Sequence, residues 1–200
     1  MENGDLLLLS DQAAQQQFRL EDEFYQQSDL LRKEFEQNIV RASEGSAGLT
    51  SLEYVFLEHR YCFLMGDADE AIAPETLNNW IQFVCAWGRE HLGTEHASTP
   101  QLHVYVKNCR RALLRDDLIV GWHYALSLTR TIRSNNSRLR LLIPNKAGRL
   151  SFLKTCSLLN VNLDFNRFVV HDTQLAYGVE AYKTEANPLE ATILLDGYLW

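Results

Sequence analysis

No stretch of this 200-residue sequence approaches the ~20 consecutive apolar residues that a membrane-spanning helix needs, so no membrane span or membrane partner is expected. Glycine and proline are scarce, at 10 and 4 residues, which argues against a collagen-like or low-complexity chain. The four cysteines, Cys62, Cys85, Cys109 and Cys156, stand far apart without a C-x-x-C pair, and read as reduced thiols rather than a disulfide framework or zinc site. No GxxxxGK[ST], GxSxG or GxGxxG occurs, so phosphate-loop, hydrolase and dinucleotide readings have nothing to rest on. The opening MENGDLLLLSD flanks four leucines with acids and lacks a basic n-region, unlike a secretory signal; the expected location is the cytoplasm, bacterial or that of a host cell.

What is present is an uneven distribution of charge. Residues 1–106 carry 18 acids against 6 bases, residues 107–154 carry 11 bases against 2 acids, and the whole chain has a net charge of −7. The basic stretch opens with KNCRRALLR, residues 107–115.

Helical periodicity dominates the first two thirds. Phe18, Phe24, Leu31, Phe35 and Ile39 recur at helical spacing over 10–42, and 52–65 continues as a second helix after the loop EGSAGLTS. Pro74 in a first turn and Gly93 as a stop bound a third helix, with Trp80 and Trp87 at core spacing. QLHVYVKNCRRALLR predicts a fourth helix after Pro100, and LIVGWHYALSLTRTIR, apolar nearly all round, a fifth that is central and buried. After SNNS the pattern changes: RLRLLIP reads as a strand, NKAGRLSFLKTCSLLN as a helix, and VNLDFNRFVVHD and TQLAYGVEAYKT as two strands. The expected fold is therefore α+β and mostly helical: a bundle of about five helices in a domain over 1–134, then a small β-α-β-β portion over 135–200 packed against it.

The C-terminal order resembles the opening of an ACT domain, with Asn145, Lys146, Ala147, Gly148 and Leu150 at the turn and Asn162 and Leu163 at the next strand. Ala147 stands where that pattern usually has proline, and the tail is short for the remaining elements. The resemblance implies a small-ligand regulatory module in this part of the chain.

On a helix, His103, Lys107, Arg111 and Arg115 would share one face with Arg110 beside them. One reading is internal: the cations complement the helix dipole and the acidic leading helices. The other is a docking surface made of Lys107, Arg110, Arg111, Arg115, Arg130, Arg133, Arg138, Arg140, Lys146 and Arg149. The expected function is a non-enzymatic interaction protein, an adaptor, inhibitor or immunity-type protein, whose partner is an acidic protein or a second copy of the chain. The alternative is an RNA- or DNA-binding protein using residues 107–154, although aromatic residues are not interleaved with the cations as a stacking platform requires. No catalytic residue, metal or cofactor is expected. Glu90, His91, Glu95 and His96 lack the HExxH spacing, the acids of GDADE lack a calcium-loop series, and His123 reads as a buried core histidine.

Overall fold

Short segments rich in β-branched and aromatic residues, such as Leu102–Tyr105 and Phe168–His171, form strands rather than helices in the computed structural model of this protein. The structure describes residues 17–43, 53–57, 61–106, 109–115, 119–130, 137–144, 156–180 and 190–200. In chain order the elements are β1 (Phe18–Glu21), α1 (Ser28–Ser43), β2 (Glu53–Leu57), β3 (Tyr61–Asp67), α2 (Ala68–Ala71) and α3 (Pro74–Leu92). They continue with β4 (Gln101–Tyr105), β5 (Arg110–Leu114), β6 (Trp122–Ser127), β7 (Arg138–Pro144), β8 (Cys156–Asn162), β9 (Phe168–Asp172), β10 (Ala176–Glu180) and β11 (Thr192–Leu199).

All strand pairs are antiparallel. One layer runs β1-β9-β6-β11-β4-β3, with β2 outside β3; the other runs β5-β10-β7-β8. A short seam, Tyr61 opposite Arg111 and Cys62 opposite Arg110, joins the layers. From β4 to β7 each successive strand crosses to the opposite layer, and β8 to β11 do the same, the winding of a jelly roll or double-stranded β-helix.

Alternation along each strand separates two cores. Leu102, Val104, Tyr124, Leu126, Phe168, Val170, Ile193 and Leu195 face outward, where α1 and α3 cover them with Leu31, Phe35, Leu77, Trp80 and Val84. The opposite faces of these strands join Leu139, Leu141, Val161, Tyr177 and Val179 of the second layer between the sheets. Trp80 is the largest fully buried side chain and meets Tyr25, Tyr124 and Phe168 edge-on.

The helix α3 has Pro74 in its first turn, where the missing N–H costs nothing, and ends at Gly93 in the left-handed conformation, φ 70°. Glu34 of α1 caps it from outside, accepting hydrogen bonds from the Ala73 N–H and the Thr76 hydroxyl, both 2.9 Å.

The mostly helical fold is thus corrected. Among the described residues three helices accompany eleven strands, and the expected helices over 52–65, 100–115 and 118–133 are the strands β2–β3, β4–β5 and β6. The reason is physical: a strand buried on both faces loses its polar alternation and reads like a helix that is apolar all round. The expected β-α-β-β portion is corrected as well. Cys156–Asn160, read as the end of a helix, belongs to β8, which pairs directly with β7, Arg138 opposite Asn162. The described end of the helix expected by the ACT resemblance is thus a strand, while its turn, Asn145 to Leu150, lies outside the described residues.

Candidate active site inside the barrel

Strand alternation that sends leucine and valine outward sends polar groups inward. His103 and Tyr105 of β4, His123 of β6, His171 of β9, Asp196 and Tyr198 of β11 and Tyr177 of β10 all lie on inward-facing positions, and Arg111 of β5 enters from the second layer. Register makes them neighbours: His123 stands opposite both His171 and Tyr198, and Asp196 lies one step along β11 between His103 and His123.

Asp196 is the hub. Its Oδ1 is 2.7 Å from His123 Nε2, and its Oδ2 is 3.5 Å from His103 Nδ1. Burial alone would raise its pKa, but the two imidazoles outweigh burial and hold the carboxyl well below the usual carboxylate range. His123, fully buried, continues the chain through Nδ1, 3.0 Å from His171 Nε2, and His171 Nδ1 lies 2.9 Å from the Asp172 carbonyl oxygen. Burial, reinforced by His123, lowers His171 to about 3. His103 is also buried, yet neither of its ring nitrogens makes a hydrogen bond among the described residues; the Asp196 contact at Nδ1 is ionic in range only.

Above this cluster opens a cavity of about 440 Å³, lined by Phe63, Met65, Pro100 and Tyr198 and by the polar residues Gln101, His103, Arg111 and Asp196, with Asp67, Ser98 and Thr99 at its margin. The Arg111 guanidinium lies 4.0 Å from the Tyr177 ring centre. Burial opposes its charge, but attraction to the phenolate forms of Tyr177 and Tyr105 and to the Asp196 carboxylate holds its pKa above the ordinary arginine value, and near neutral pH Asp196 is the charged partner among them. Burial pushes the Tyr105 and Tyr177 phenols up, so both are neutral hydrogen-bonding groups near neutral pH.

The described members of the expected helical stripe do not share a face. His103 and Arg111 belong to different strands, and alternation along β5 separates Arg110, exposed, from Arg111, inside the barrel. Arg115 and Arg138 are exposed. Arg130 pairs with Asp29 at 2.8 Å and Arg140 lies 3.6 Å from Glu180. Lys107, Arg133, Lys146 and Arg149 lie outside the described residues. Asp196, His171 and Tyr177 were not singled out in the sequence. Their signal was an ionisable or polar residue inside an otherwise apolar, β-branched run, as in TILLDGYL and FVVHD.

No protein-family model matches the sequence, and no curated protein is similar to it. Solved structures are. A prolyl-4-hydroxylase from Pseudomonas putida superposes with a TM-score of 0.64 at 18% identity, over 97% of each chain. A prolyl hydroxylase from Trichoplax adhaerens, bound to a fragment of a hypoxia-inducible factor, gives 0.63 at 11%, over 100% of this chain and 94% of that one. A non-heme α-ketoglutarate-dependent epimerase from nogalamycin biosynthesis gives 0.66 at 9%, over 98% and 80%. These likenesses show a fold shared with two prolyl hydroxylases and an epimerase, and they overturn the expectation of a helical, non-enzymatic adaptor or inhibitor.

Non-heme iron in such enzymes is commonly held by two histidines and one carboxylate with coordination positions left open. The donor types of His103, His123 and Asp196 match that set; their arrangement does not. Both nitrogens of His123 already contact Asp196 and His171, and among the described residues no group of three or more His, Cys, Asp or Glu is placed to hold a metal ion.

Proposed function

We propose that this chain is an enzyme whose active site is the barrel cavity, where it binds a small carboxylate-bearing molecule and moves a proton to or from it through His103. The observation that carries this reading is His103 itself. It is a buried imidazole lining the cavity, with the Asp196 carboxylate 3.5 Å from Nδ1 and no hydrogen-bond partner for Nε2 among the described residues. A carboxylate beside one ring nitrogen favours a proton there and leaves the other to act as base and then as acid. Arg111 lines the same cavity, and its planar fork of N–H donors suits a carboxylate. Phe63, Met65 and Tyr198 reduce water around both groups, which strengthens their interactions with a bound anion. The hydroxylases and the epimerase built on the same fold support the enzymatic part of the reading.

The test is deuterium exchange from solvent into small keto and hydroxy acids, followed by NMR at the carbon next to the carboxylate. One or more acids should exchange, and H103Q should slow exchange by about 10²–10⁴-fold, the range for loss of a general base, with little change in thermal stability. Exchange that H103Q leaves untouched, or a panel in which no acid binds, would overturn the reading.

A further inference from the structure

We infer that the interior chain His171–His123–Asp196, with His103 beside its carboxylate end, has a fixed hydrogen-bond polarity and takes no metal on its two buried histidines. The inference deepens the proposed function and rests on it for the role of the cavity, while its evidence is the hydrogen-bond order and the burial of the chain.

That order is forced from one end. The Asp172 carbonyl can only accept, so His171 Nδ1, at 2.9 Å, carries a proton and donates it. A fully buried imidazole with no carboxylate in contact remains neutral, which leaves His171 Nε2 bare and makes it an acceptor. His123 Nδ1, 3.0 Å away, must therefore be the donor of that contact. His123 Nε2 faces Asp196 Oδ1 at 2.7 Å, a separation that two bare acceptors do not adopt, so a proton lies between them. With Asp196 held as a carboxylate, that proton belongs to His123, which then carries one on each nitrogen and forms a buried, charge-assisted pair. Arg111 is another cation facing Asp196, and Tyr105 and Tyr177 present neutral hydroxyls toward the cluster. The remaining oxygen of Asp196 faces His103, the member of the chain that lines the cavity.

The same order excludes a metal from His123 and His171. All four ring nitrogens of His123 and His171 are engaged at 3.0 Å or less, both rings are fully buried, and coordination at either would break the chain and leave a buried donor or acceptor unpaired. An iron site needs the reverse, bare nitrogens converging on an open position. The cluster has the composition of such a site with its lone pairs turned on one another.

The experiment uses the full wild-type chain, so no variant has to fold. Long-range ¹H–¹⁵N spectra of histidine-labelled protein at pH 7 should show His171 neutral with its proton on Nδ1 and His123 protonated on both nitrogens. Zinc(II), a diamagnetic probe, added to a tenfold excess should leave both sets of resonances in place, and iron(II) with α-ketoglutarate should give no keto-acid consumption above a protein-free control. A neutral His123, zinc-induced shifts at His123 or His171, or iron-dependent consumption of α-ketoglutarate would each overturn the inference. None of these readouts depends on whether a carboxylate exchanges deuterium at His103, so the failure of one reading is distinguishable from failure of the other.

Discussion

Asp196 accounts for more of the interior than any other side chain, because it faces both His103 and His123. Replacing its carboxylate by an amide of the same shape removes the ionic partner of the buried His123, and breaking a buried pair typically costs about 3–5 kcal/mol. D196N should therefore lower the free energy of unfolding in urea by that order, whereas H103Q, at the cavity end and without a full hydrogen bond, should cost far less. Equal losses for the two variants would show that Asp196 is not the hub. At this scale the sequence was partly legible. His123 read as a buried, satisfied histidine, and it is one. Its partners were not readable, because Asp196 lies 73 residues away and the pairing exists only once β6 and β11 are in register.

At the scale of elements, close approach between strands and their covering layers leaves a glycine where no side chain fits. A Cβ on Gly197 would come within 2.5 Å of the Tyr124 ring, in the β11–β6 pair that also sets the His123–Asp196 contact. G197A should destabilise the chain by about 1–3 kcal/mol through overpacking, read as a lower urea midpoint with an unchanged slope. A neutral substitution would mean that Tyr124 swings aside at no cost. Helix α3 was legible because its boundaries are chemical, Pro74 at the start and Gly93 at the stop, and its buried stripe recurs at helical spacing. The strands β4, β5 and β6 were not. Those next to α3 are covered by helices outside and by the second sheet inside, and residues such as Leu102, His103, Val104 and Tyr105 are all buried, which erases the alternation that marks a strand. The cations of KNCRRALLR misled for the same reason: a period of two sends Arg110 and Arg111 to opposite faces, where a period of 3.6 had made them neighbours.

For the whole molecule, the buried neutral His171 couples folding to pH. Its folded pKa, about 3, lies below the ordinary histidine value of about 6.5, so the unfolded chain binds a proton there that the folded chain refuses. The stability linked to His171 is complete above pH ~6.5 and is lost as pH falls toward 3, by up to about 1.4 kcal/mol per pH unit. Urea unfolding of the wild type and of H171N at pH 8, 7, 6 and 5 should show a margin between them that shrinks as the pH drops. A margin independent of pH would contradict a neutral, desolvated His171. The fold as a whole was hidden from the sequence because its defining contacts join distant strands, β1 with β9 and β4 with β11, and no local pattern encodes such a winding. The proposed function places a small carboxylate in the space between the sheets, bounded by His103, Arg111 and Asp196. A crystal structure of the full chain grown with a keto acid that exchanges deuterium tests it most directly. The predicted result is the acid seated in the barrel with its carboxylate on Arg111 and its exchanging carbon facing His103; an acid bound outside the barrel, or an interior closed by side chains, would contradict it.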